Sequence, residues 1–95
     1  MLPLISPSNI AVEVAKRARA MRLAHNLSQQ SLADRSGVSQ ASLKRFEYTG
    51  EIAFVSLLKI SAALGCMDDF GVLFAPRAVV SIDEITKKRR IRGRG

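Results

Sequence analysis

The stretch Gln29–Tyr48, QQSLADRSGVSQASLKRFEY, holds the side chains best suited to chemistry. Its second half sets Gln40, Ala41, Ser42, Lys44 and Arg45 around two inward positions, Leu43 and Phe46. These five are amide, small, hydroxyl or cationic. An amide or a guanidinium can pair with two atoms of a purine edge, an alanine methyl can touch thymine, and a lysine can neutralise a phosphate. Gln29 opens the first half of the stretch and Ser39 precedes the second. Other chemistry is poorly supplied. His25 and Cys66 are the only histidine and cysteine, so neither a Cys/His metal cluster nor a disulfide can form within the chain. His25 falls at a helix end with no carboxylate or nucleophile in its pattern. Cys66, beside Gly65, reads as an inert, partly buried thiol. Met21 and Met67 read as core fillers. No catalytic residue, metal or cofactor is expected.

Short helices must position these residues. Ser8 is the expected N-cap of a first helix, Asn9 to His25, with Val14, Ala18 and Met21 recurring at steps of four and three. Asn26 fits its stop. Ser28 fits the next cap, and Gln29 to Ser36 forms a second helix burying Leu32 and Ala33. Gly37 breaks it, and Val38 packs beneath the turn. Ser39 caps a third helix from Gln40 to about Tyr48, closed by Thr49 and Gly50. Two short helices joined by a four-residue turn containing glycine make a helix-turn-helix. A fourth helix is expected from about Phe54 to Leu64, with Leu57, Leu58, Ile60 and Ala63 apolar and Gly65 at its end. A fifth, Met67 to Phe74, carries Asp68 and Asp69 near its positive N-terminus and stops at Pro76. Beyond it, Ser81 with Asp83 and Glu84 suggests a last helical turn. The β-branched run Ala78–Ile82 reads alternatively as a short strand. The fold class is all-α. Its expected divisions are an N-terminal arm (1–8), the helix-turn-helix domain (9–75) and a C-terminal extension with a basic tail (76–95).

Composition sets the class of partner. The 95 residues allow one domain, 47% hydrophobic and 24% charged. No apolar run approaches the ~20 residues of a membrane-spanning helix. The opening MLPLISPSN lacks the features of a secretory signal, so a reducing cytoplasm is expected. The net charge of +7 points to a polyanion. It is uneven: +3 over residues 1–27, +1 over 28–50, −2 over 51–75 and +5 over 76–95. The terminal KKRRIRGRG (Lys87, Lys88, Arg89, Arg90, Arg92 and Arg94) has too little apolar surface to order itself and reads as a flexible tail for phosphates or a partner.

Leu27–Ser28–Gln29, Leu32–Ala33, Gly37–Val38–Ser39–Gln40 and Phe46–Glu47 resemble the lambda-repressor/Cro-like (Xre) helix-turn-helix regulators, over about residues 12–74. The resemblance implies a compact five-helix DNA-binding domain that dimerises on a near-palindromic operator in a bacterial nucleoid. It implies that Gln29 clamps a phosphate, joined by Ser39 and Lys44. Gln40 and Ala41 become the first base-reading positions, with Ser42 and Lys44 adjacent and Arg45 at a further base or phosphate position. Ala41 stands where the family often has an amide. Arg22 and Glu47 match an internal ion pair tying the first helix to the third. The long lead ISPSNIAVEVAKRARAMR, with LFAPRAVVSIDEI and the basic tail, is similar to HipB-like antitoxins. That likeness implies autorepression and a HipA-family kinase toxin as partner. The alternatives are a stand-alone phage or plasmid repressor and a coactivator using the same fold.

Overall fold

The computed structural model describes residues 6–76. Arg77, the Ala78–Glu84 segment and the Lys87–Gly95 tail lie outside them, as do the first five residues of the arm. Among the described residues five helices follow one another: α1 Pro7–Ala24, α2 Gln29–Ser36, α3 Gln40–Thr49, α4 Phe54–Leu64 and α5 Asp68–Gly71. No strand occurs among the described residues.

Capping chemistry explains the boundaries. Ser28 and Ser39 accept hydrogen bonds from the Ser31 and Ser42 N–H groups at 3.0 and 3.1 Å, which satisfies otherwise orphaned donors at the starts of α2 and α3. Helices α2, α3 and α4 each end on a left-handed glycine: Gly37, Gly50 and Gly65. Asn26, at φ 58°, turns the chain after α1.

Two helices differ in extent from the sequence expectation. Helix α1 begins at Pro7 and not Asn9, and its cap is Ser6, not Ser8; Ser6 Oγ accepts from the Asn9 N–H at 3.1 Å. Proline is at home in the first helical position, where its missing N–H had no partner to lose. Helix α5 is shorter than Met67–Phe74. It ends at Gly71, a weak helix former followed by β-branched Val72, and Phe74 has a φ of 64°.

The core gathers Ala15, Leu27, Leu32, Val38, Leu43, Phe46, Ile60 and Leu64. Val14, Ala18, Ile52, Leu57, Ala63 and Cys66 pack against it. Helix α1 lies against α3, and α2 lies against both α3 and α4. The buried stripe of α1 runs through Ala15 and Arg22 rather than Met21. Met21 is 38% exposed and Met67 45%, so neither is a core filler. The crossing of α1 over α3 is too close for a long side chain; at Gly50, a Cβ would sit 3.0 Å from the Ala11 carbonyl carbon.

Candidate nucleic-acid interface

Helix α3 buries Leu43 and Phe46 completely. At 100° per residue, the direction opposite them belongs to Ala41, Lys44, Arg45 and Tyr48. All four are exposed, with Gln40 half-buried on one flank and Ser42 exposed on the other. The expected base-reading residues therefore share one surface. Lys44 has no ion pair among the described residues. Tyr48 extends the surface by one turn and is 90% exposed. In the sequence it reads only as the end of the third helix. Its spacing, four residues after Lys44 and seven after Ala41, is the signal that would have found it.

The two expected phosphate-binding residues beside this face are already partly committed. Ser39 Oγ caps α3 and also donates to Ser42 Oγ at 3.0 Å. Gln29 Nε2 donates to Glu47 Oε1 at 3.0 Å. A side-chain amide has two N–H donors, so Gln29 keeps one for another acceptor.

Glu47 is the hub beneath the face. Arg22 Nε donates to Glu47 Oε2 at 2.8 Å, and Nη2 donates to Oε1 at 3.0 Å. Arg22 Nη1 donates to the Leu27 carbonyl at 2.8 Å, in the turn before α2. Only 7% of the Arg22 side chain and 4% of the Glu47 side chain are exposed. One guanidinium thus ties the end of α1, the α1–α2 turn and helix α3 into a fixed arrangement, with Gln29 at its edge. Burial by itself pushes the Glu47 carboxyl up. The hydrogen bonds from Arg22 and Gln29, with the charges of Arg22 and Arg19, override that and hold it below the ordinary glutamate value.

Two further features extend beyond the expected site, the first of them from Arg45. Arg45 Nη2 donates to Glu51 Oε1 in an exposed ion pair that spans the end of α3. On α4 and α5, Phe54 and Phe70 pack edge to face with ring centroids 6.0 Å apart. Leu58, Met67, Leu73 and Phe74 complete an apolar concavity of about 360 Å³ around them. His25 is exposed, with Nδ1 2.8 Å from the Met21 carbonyl oxygen. No described helix is long and apolar enough to cross a membrane.

A family model described as "Helix-turn-helix" matches residues 19–67, from the last turns of α1 to the residue before α5. A comparison with curated proteins gives no match.

Proposed function

The chain belongs to the lambda-repressor/Xre-like helix-turn-helix family, whose domain is a DNA-binding regulatory module and not an enzyme family, and from that premise we propose that it is a sequence-specific regulator reading duplex DNA with the outward face of α3. The observation that carries the reading is that face itself. It presents an amide, a methyl, a hydroxyl, a lysine, an arginine and a phenol on a short helix whose other side is locked into the core. In this reading Gln40, Ala41 and Ser42 meet base edges in the major groove. Lys44, Ser39 and the remaining N–H of Gln29 hold phosphates. Arg45 contacts either.

Two copies, joined through α4 and α5, set their recognition helices about 34 Å apart on a near-palindromic site. The apolar surface that the described residues leave around Phe54 and Phe70 supports this pairing. The finer form of the proposal is a HipB-like antitoxin that represses its own operon and restrains a HipA-family kinase. Its support is the sequence pattern of the lead and the C-terminal extension. Co-purification with a stoichiometric kinase-fold protein would establish that form, and recovery of a homodimer alone would leave a stand-alone repressor.

The DNA reading is tested with a duplex enriched from a randomised pool. Gln40→Ala is expected to cost about 1–3 kcal/mol on that duplex and to relax preference at a single base pair. Uniform weakening on all sequences would reassign Gln40 to a phosphate. A dimer engaging ~6–10 phosphates loses ~10³–10⁵ in affinity between 50 and 200 mM salt.

A further inference from the structure

The connection from α3 to α4 holds an arrangement that the reading above leaves unused. Thr49, the last residue of α3, bonds in both directions. Its Oγ1 donates to the Arg45 carbonyl at 2.7 Å and accepts from the Glu51 N–H at 3.1 Å. Gly50, between Thr49 and Glu51, is seated against the α1 backbone at Ala11 and Val12. The backbone of Glu51 is thereby fixed relative to Arg45, and its carboxylate receives the Arg45 guanidinium at Nη2.

Both side chains are about two-thirds exposed, 68% for Arg45 and 65% for Glu51. A pair this wet adds little to stability. Its consequence is positional, because a free arginine spreads over many rotamers and this one is tethered. The pair lines a surface hollow of about 300 Å³ together with Ser42, so it borders the DNA-facing side of α3. A guanidinium has five N–H donors, arranged as two double-donor edges that share Nη2. One bond at Nη2 takes one hydrogen and leaves one edge whole. A whole edge matches the O6 and N7 acceptors of guanine in the major groove.

We infer that Glu51 is a positioning residue that holds Arg45 to read a guanine, and so sets specificity at one base pair. The inference rests on α3 being the DNA-facing helix. Glu51 also brings a negative charge near the phosphates, which disfavours every DNA sequence alike. Removing it therefore has two effects of opposite sign, and these can be separated.

The experiment measures binding of the full chain to three sets of DNA: the duplex enriched from a randomised pool, variants of it with each guanine pair replaced, and a random-sequence duplex. Wild type is expected to prefer guanine at one position by about 5- to 150-fold, and Arg45→Ala abolishes that preference. Glu51→Ala is expected to remove most of the same preference while tightening binding to the random duplex. Glu51→Gln keeps an acceptor for Nη2 and recovers part of the preference, with the random-duplex gain retained. Thr49→Val leaves every charge in place and lowers the preference without that gain. If Glu51→Ala tightens specific and random binding by one common factor, the carboxylate only repels DNA and the inference falls. An enriched duplex with no guanine position sensitive to Arg45 overturns it equally, while leaving the DNA-reading role of α3 standing. Failure of wild type to enrich any sequence overturns both.

Discussion

Arg22→Met is expected to destabilise the domain by about 3–5 kcal/mol, because it leaves a buried carboxylate without its cation. The structure accounts for the size of the effect. Glu47 is almost wholly withdrawn from water and takes two of its hydrogen bonds from Arg22. The Leu27 carbonyl loses its Arg22 partner at the same time. Against a total stability of about 5–15 kcal/mol, that is at least about a fifth of the margin and at the lower end all of it. Replacing both members, as Arg22→Met with Glu47→Leu, should cost far less than the single change, since a buried pair contributes little net when an apolar pair can fill its volume. The pH dependence follows with a definite sign. In the native domain the Glu47 carboxyl lies below its ordinary value of 4.5. Between the two values the unfolded chain binds more protons, so this contribution is complete above about pH 4.5 and is lost as pH falls through the lowered value. In Arg22→Met, burial acts with only Gln29 and Arg19 opposing it. Without Arg22 the carboxyl moves up from its native position, so the variant is expected to lose less stability than the wild type as pH falls toward 3. Urea unfolding of both proteins from pH 7 to pH 3 checks the prediction. A cost below about 1 kcal/mol would mean that water reaches Glu47 and that the pair is not the hub of the fold.

Gly50→Ala is the second large effect. The residue has a φ of +85°, where an L side chain costs about 1–2 kcal/mol. The added Cβ would also stand 3.0 Å from the Ala11 carbonyl carbon and 3.1 Å from both the Ala11 oxygen and the Val12 nitrogen. Backbone atoms cannot rotate away as a side chain can, so overpacking adds about 1–3 kcal/mol. Gly37→Ala is the internal control. Its φ is +80°, but nothing lies within 4 Å of the new Cβ, so it pays the conformational cost alone. Denaturant unfolding should therefore place Gly50→Ala well below Gly37→Ala. Equal losses would show that α1 and α3 can separate cheaply. In the proposed reading the contact matters for function, because α1 supports the α3 face that would meet DNA.

Much of this was legible in the sequence, and the reasons are local. Helices α2, α3 and α4 are bounded by serine caps or left-handed glycines, whose chemistry needs no tertiary contact to act. Leu32, Ala33, Leu43 and Phe46 were readable as inward because helical spacing sorts them from the polar positions beside them. The misses have the opposite cause. Ser6 and Ser8 are equally good caps in isolation, and Pro7 between them decides for Ser6. Met21 is more apolar than Ala15, yet the close approach of α3 selects the smaller residue. The pairing of Arg22 with Glu47, 25 residues away, is not among them: the family resemblance implies it where helical spacing alone does not. The pairing of Arg45 with Glu51 crosses a helix end and a left-handed glycine, so no periodic pattern announces it. Tyr48 lay on the right face throughout, hidden only by being read as a terminus.

The central claim is that the outward face of α3 reads duplex DNA. Its most direct test is an amide-resolved NMR titration of the full chain with the duplex enriched from a randomised pool. The largest shifts are predicted at Gln29 and from Gln40 to Tyr48, falling off toward the buried stripe of α1. Amides of α3 that stay unmoved, with the shifts gathered instead around Phe54 and Phe70, would contradict it.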